Sequence, residues 1–529
     1  MTDYGSIKPR LKQYQQQQEL TQAERDLLQA DRPGYGTRHV IEVAFNLVNA
    51  TVGAGIMGLP FAVSRAGFFT GVASSIWVAV LSQLGLYMLI LAGKRVGIYK
   101  FAVLVEHVMG RFGYHFLNFV IVAQAGGACV SYFILLGDTI PVILHRYLPQ
   151  YPLLSDRTFV IVAIGTLCIL PLNLRRSIGS LARWSILSVL CLPVILLTIL
   201  IRVPAYYDRT PHDETGEPVF TWVGSDLFGA LGIMAFAFTC SQVSFSNFLT
   251  LRNQSHRAWR KATALSTSIS WAVSMTFAIV GYMCFGSKVQ SNLFMNFDDD
   301  DAIVNVGRFA LGFSMIFSIP MGFYPTREAI QKSLGFETAT QQPTNFQHYT
   351  LTFVLFFFIM GLGVAVRSLG IVYSLVGGFA ATTLSYILPA ATYLVTRWRV
   401  DDQPSPTLTA AQTLTVTPTL SSKYCDEFKS PIFTPSFDAQ SCSSSSRLLP
   451  SPAPNYCYSY YDEEDISTVD GGEIIPDDDD SECDQNSVMA AESLQRPKIG
   501  FLDVIAVILV VWGLIVMSSS VYGVLKDQQ

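Results

Sequence analysis

Charged residues are scarce in this chain: only 14% of its 529 residues are Asp, Glu, Lys or Arg, against about 25% in ordinary globular domains. With 50% hydrophobic residues and a mean hydropathy of +0.37, that scarcity excludes a soluble enzyme with a solvated shell. Residues 1–38 lack any apolar run and carry the stretch Gln15 to Gln18, so no cleavable signal peptide is expected and the first span itself directs insertion. Cysteine pairing is missing too. Of 9 cysteines, Cys129, Cys168, Cys191, Cys240 and Cys284 fall within apolar runs, and Cys425, Cys442, Cys457 and Cys483 fall in one polar loop, without CxxC spacing. That pattern excludes structural disulfides and a zinc knuckle. The 7 histidines include no HExxH, and no nucleophile with a base and no carboxylate pair is apparent, so neither a catalytic cofactor nor a metal is expected and the chain does not read as an enzyme. No nucleic-acid partner is expected either.

What the chain does have is long apolar runs. A bilayer core about 30 Å thick takes roughly 20 apolar helical residues, and eleven segments meet that need: 40–64, 69–92, 115–144, 158–174, 184–203, 225–250, 263–285, 303–325, 349–366, 370–395 and 499–523. Each is apolar on all sides, as lipid and packed neighbours require. Placing the N-terminus in the cytosol and alternating sides assigns 26 of the 35 Lys and Arg to the cytosol, which satisfies the positive-inside rule. The expected fold is an all-α polytopic membrane protein. Its parts are a cytosolic tail (1–38), a core of ten spans (39–396), a cytosolic loop (397–498), and an eleventh span with a short outer tail (499–529). The loop is rich in Ser, Thr, Pro and acids, with Asp477 to Asp480 and Ser443 to Ser446. Such a composition predicts disorder, and the loop is either a tether or a segment read by regulatory or sorting proteins.

Ten spans plus one raises the question of a five-plus-five inverted repeat, whose mark is an interruption in both span one and span six. Span one contains Asn49-Ala-Thr-Val-Gly53-Ala-Gly55-Ile-Met-Gly58-Leu-Pro60, and span six contains Phe238-Thr239-Cys240-Ser241-Gln242. The glycines spell GxGxxG, but a dinucleotide fingerprint needs a strand before it and an acidic partner after it, and here it lies in an apolar span. Two readings stay open: small residues that let helices approach, or an unwound stretch that offers its backbone to a ligand. Pro60, which removes a donor, and the polar Asn46, Asn49 and Thr51 favour the second. A midplane break supplies N–H groups for a carboxylate and carbonyls for an ammonium, so it binds a zwitterion without a charged side chain. Arg65, Arg308 and Arg367 all lie near span ends, so neutral amino acids are the expected substrates.

The stretch from Phe45 to Pro60 resembles the first-span signature of the amino acid/auxin permease family, and so do Ala235 to Cys240 and Ser318-Ile-Pro320 with Tyr324-Pro325-Thr-Arg327. Fungal vacuolar amino acid transporters and sodium-coupled neutral amino acid transporters are the nearest subgroups. The resemblance implies an inverted-repeat core with eleven spans and a substrate between spans one and six, bounded by Asn49, Thr51, Gly53, Gly55, Phe238, Thr239, Ser241 and Gln242. It also implies H⁺ or Na⁺ as coupling ion, with Asn49 and Ser318 as ion-holding candidates. Many relatives carry a histidine directly after the span-six cysteine, whereas this chain has Ser241. Asp138, in the outer half of span three, either titrates during coupling or is simply hydrated. The function expected is secondary transport of neutral amino acids, proton-coupled, across a vacuolar or lysosome-like membrane rather than the plasma membrane. The alternatives are an amino-acid-binding membrane sensor or a sodium-coupled plasma-membrane transporter.

Overall fold

A computed structural model describes residues 32–176, 179–207, 220–337, 343–399 and 499–526. The tail before residue 32, the loop 400–498 and the four loop cysteines lie outside the described residues. Among the described residues all regular structure is helical apart from one isolated bridge. The helices are α1 (Val40–Thr51), α2 (Leu59–Ala66), α3 (Phe68–Val96), α4 (Phe101–Tyr147), α5 (Arg157–Ile164), α6 (Leu170–Asn173), α7 (Gly179–Tyr207) and α8 (Leu227–Phe238). They continue as α9 (Ser244–Thr250), α10 (His256–Phe285), α11 (Ala302–Ser333), α12 (Asn345–Ala365), α13 (Leu369–Val376), α14 (Leu388–Arg399) and α15 (Phe501–Lys526).

Eight helices among the described residues are long and apolar enough to cross a membrane, or nine when the bent pair Val40–Thr51 and Gly55–Ala66 counts as one span. Two shorter apolar helices, Arg157–Asn173 and Leu190–Tyr206, fall where the fourth and fifth spans are expected. Large exposed apolar side chains such as Phe112, Val354, Phe358 and Phe501 are what a lipid-facing surface presents. Several helix starts are written in their caps. The side chains of Asp226, Ser255, Asp301 and Ser368 each accept a backbone N–H of the first turn, and Thr344 forms a capping box with Gln347. α4 begins well before the expected residue 115. Gly110, at φ 68° and ψ −164°, kinks it into a lead-in and the span proper.

Spans one and six run antiparallel and are tied at both ends by backbone bonds. At one end the Arg38 N–H donates to the Thr250 carbonyl and the Arg252 N–H to the Arg38 carbonyl, each at 2.9 Å. At the other, the Gly224 N–H reaches the Ala66 carbonyl at 2.8 Å and the Asp226 N–H reaches the Arg65 carbonyl at 3.0 Å. Gly36 permits the first tie, because a Cβ there would stand 2.0 Å from the Leu251 carbonyl oxygen. The entry to span one therefore meets the exit from span six, and the reverse.

Candidate functional site

Both expected interruptions are present. α1 stops at Thr51. Val52 (φ −79°, ψ 85°) and Gly53 (φ −126°, ψ −149°) leave the helical region, and the chain resumes as the 3₁₀ turn Ala54–Gly58 before α2. The bend is 58°. Pro60 sits in the first turn of α2, where its missing N–H would have had no helical acceptor. In span six α8 ends at Phe238. Thr239 (φ −81°, ψ 121°) and Cys240 (φ −141°, ψ 17°) are non-helical, and the turn Ser241–Val243 leads into α9.

The two breaks touch. Gly55 lies against the last turn of α8, where a Cβ would come 2.8 Å from Ala237 Cα and 3.3 Å from Phe236 Cδ1. Cys240 lies beside Thr51, whose hydroxyl donates to the Leu47 carbonyl at 2.8 Å. Gly53 is different: a Cβ there would meet nothing within 4 Å. Asn49 and Gln242 are exposed, while Phe238, Thr239 and Ser241 are buried. The first break thus has an open side and the second, apart from Gln242, is closed in.

What closes it in is Ser385 of span ten, which the sequence reading did not single out. Ser241 Oγ donates to Ser385 Oγ at 3.4 Å, Ser385 Oγ donates to Thr239 Oγ1 at 3.1 Å, and Thr239 Oγ1 donates to the Ala235 carbonyl at 2.5 Å. Ser385 falls in a π-turn, Thr383–Ile387, that follows another at Gly377–Ala381. A π-turn has no sequence signature comparable to a cap or a proline, so only the pair Gly377-Gly378 and the hydroxyls at 382, 383 and 385 hinted at it.

The ion-coupling candidates lie apart from this junction. Ser318, in α11, has its hydroxyl 2.8 Å from Ser188 Oγ of α7 and donates to the Ser314 carbonyl at 2.9 Å. Asp138 is not simply hydrated. Its Oδ1 lies 3.4 Å from Arg157 Nε. Arg157 also donates to the carbonyls of Val364 (3.0 Å), Gly363 (3.2 Å) and Val366 (3.3 Å). An arginine assigned by sequence to an outer loop therefore joins spans three, four and nine. Two other arginines are buried and bind backbone oxygens. Arg308 donates to the Phe294, Phe297 and Asp298 carbonyls and to Asn305 Oδ1, and Arg327 donates to the Asn173 and Arg175 carbonyls. Their partners lie at 294–298, in α11 itself, in α6 and just beyond it, and in α12, none of them a break residue.

Against known proteins, residues 36–416 match the family described as transmembrane amino acid transporter protein. Vacuolar amino acid transporter 2 of Saccharomyces cerevisiae is 30% identical over 66% of this chain and 75% of its own. The putative sodium-coupled neutral amino acid transporter 11 of Danio rerio is 30% identical over 68% of this chain and 79% of its own. A Na⁺-coupled sialic acid symporter in a substrate-bound outward-open state aligns with 14% identity and a TM-score of 0.43 over 70% of this chain and 82% of that one, a level from which nothing further is inferred. The relatives are named as transporters, not enzymes. With the family matched across the whole region that carries both breaks, the chain belongs to the transmembrane amino acid transporter family.

Proposed function

We propose that the protein is a secondary active transporter of neutral amino acids in a vacuolar-type membrane, working by alternating access around the junction of spans one and six. The observation that carries this is the contact between two helix breaks, Gly55 against Ala237 with Gly53 open beside them. A broken helix leaves N–H groups at the start of its second half and carbonyls at the end of its first. Two such breaks side by side offer a carboxylate the positive end of a half-helix and an ammonium the carbonyl ends of α1 and α8. Asn49, Thr51, Gly53, Gly55, Phe238, Thr239, Ser241 and Gln242 bound that cradle. The buried arginines Arg308 and Arg327 are held by oxygens elsewhere, so an acidic side chain entering the cradle would carry an uncompensated charge.

Eleven spans in a five-plus-five inverted repeat, with the N-terminus and the loop 397–498 cytosolic, complete the reading. The antiparallel, end-to-end tie between spans one and six supports the repeat, and the excess of Lys and Arg on one side supports the orientation. Proton coupling through Asp138 is supported by its place inside a span, half-buried beside Arg157, since an ionisable carboxyl there is a candidate proton carrier. The second reading is a sodium-coupled transporter, as the Danio rerio relative is named, with Asn49 and Ser318 holding the ion. Uptake of radiolabelled glutamine into vesicles of purified protein, under an imposed H⁺ gradient or an imposed Na⁺ gradient, separates them. Accumulation driven by H⁺ alone is expected. Accumulation driven by Na⁺ alone selects the second reading, and binding without flux selects a sensor.

A further inference from the structure

Span ten departs from α-helical winding twice in succession, at Gly377–Ala381 and at Thr383–Ile387. Turns of this kind worsen hydrogen-bond geometry and recur at functional positions. The second one delivers Ser385 to the break of span six. Its place is fixed from the far side by α3: Gly85 lets the Ser385 carbonyl approach to where a Cβ would stand 1.9 Å from the oxygen. The adjoining Tyr386, fully buried, sets its hydroxyl 3.3 Å from Ser82 Oγ of the same helix.

We propose that Ser385 is a positioning residue for the amino acid site: it fixes the proton direction of a hydroxyl chain so that Ser241 offers the break lone pairs and no proton. The direction is forced from the far end. A carbonyl can only accept, so Thr239 donates to Ala235 and has to accept from Ser385. Ser385, having given its proton to Thr239, accepts from Ser241. Ser241, with its proton committed, is left as an acceptor, and the terminal carbonyls of α8 share that polarity. This end of the cradle therefore suits a substrate group that donates, an ammonium or an amide NH₂. Without the Ser385 hydroxyl, Ser241 is free to turn and donate instead, and Thr239 and Ser241 lose their common partner.

The inference rests on the transport reading above, and the test separates the two. Radiolabelled glutamine uptake by purified protein in vesicles is measured for the wild type, Ser385→Ala, Ser385→Thr, Ser241→Ala and the double variant Ser385→Ala/Ser241→Ala. Ser385→Ala is expected to raise the apparent KM about three- to tenfold with Vmax and yield held. Ser385→Thr, which keeps the hydroxyl, is expected to stay within about twofold of wild type. In the Ser241→Ala background Ser385→Ala is expected to add little, since the chain has already lost its end at the break. An unchanged KM in Ser385→Ala, equal losses in Ser385→Ala and Ser385→Thr, or full additivity with Ser241→Ala overturns the proposal. Should Ser385→Ala yield no folded protein, Ser385→Cys, a near-isostere with a weak donor, is judged by the same criteria. A wild type that carries no amino acid overturns the transport reading itself.

Discussion

The breaks of spans one and six do the same thing to a helix by different chemistry. In span one the interruption is made by subtraction, with glycines at 53, 55 and 58 removing side chains. Gly53 faces open space, while Gly55 and Gly58 are pressed against α8 and Tyr373. In span six it is made by addition, with Thr239, Ser241 and Ser385 supplying hydroxyls to backbone and to one another. An unwound segment in a membrane persists only where its polar groups are re-satisfied or line a cavity. Span six takes the first course and span one the second. The difference suggests that span one supplies the open face for substrate backbone atoms and span six the rigid wall that sets their polarity.

The harshest way to break that comparison is to fill the glycine that joins the two halves. Gly55→Leu has to displace Ala237 Cα, which a Cβ would approach to 2.8 Å, and backbone cannot yield as a side-chain tip can. Transport is expected to fall at least about a hundredfold, as misplacement of a site by an ångström does, with monodisperse protein retained on size-exclusion chromatography. Gly53→Ala is the paired control: the Cβ meets nothing within 4 Å, so folding is untouched and any effect belongs to substrate affinity. If Gly55→Leu transports with unchanged KM, the glycines are packing residues only.

Substrate charge sharpens the comparison next. The cations that the fold buries are committed outside the breaks, Arg308 at 1% exposure to four oxygens among them. Glutamate is therefore expected to compete at least about tenfold more weakly than glutamine at matched concentration and pH, since an unpaired charge in such a site costs more than 1.4 kcal/mol. Glutamate matching or exceeding glutamine would show that backbone donors of a break, or a co-bound proton, compensate the second carboxylate. Thr239→Val tests the hydroxyl wall at smaller amplitude. It keeps the shape of the side chain but removes the donor to Ala235 and the acceptor for Ser385, so KM should rise about three- to tenfold.

Much of this was legible in the sequence because membranes make few allowances. Uninterrupted apolar runs mark spans, and glycine with proline inside one marks a break, so the interruption of span one could be named in advance, while that of span six followed from its corresponding place in a repeat and from the family resemblance. Span lengths were less legible, since helices extend beyond the apolar window: α4 starts at Phe101 and α10 at His256. Side-chain partners were not legible at all. Arg157 lies 19 positions from Asp138 and Ser385 lies 146 from Thr239, and no periodicity encodes such pairings. The reach of Arg157 into the end of span nine turned a carboxylate read as hydrated or titrating into an ion-paired one.

The smallest expected effect contrasts the charge-free breaks with a charged helix start, Asp301 at the head of α11. Burial works against its ionised form, yet the Val304 and Ile303 N–H groups and the Arg202 guanidinium, with Nη2 at 2.5 Å, outweigh it and hold the carboxyl below the usual carboxylate range. A group whose pKa is lower folded than unfolded contributes stability above its unfolded value, near 3.9, and loses it as pH falls through the lower folded value. Asp301→Asn keeps the N-cap acceptor but not the charge, so it is expected to cost about 1 kcal/mol or less at neutral pH. That difference should shrink on acidification below about pH 4. Thermal melts of purified protein across pH measure this. The KM for glutamine at neutral pH is expected to stay at the wild-type value, because the cradle takes its polarity from backbone and hydroxyls. A variant that changes KM while its melting temperature is unmoved would mean that charge at the start of α11 reaches the breaks, and that the two kinds of site are not separate.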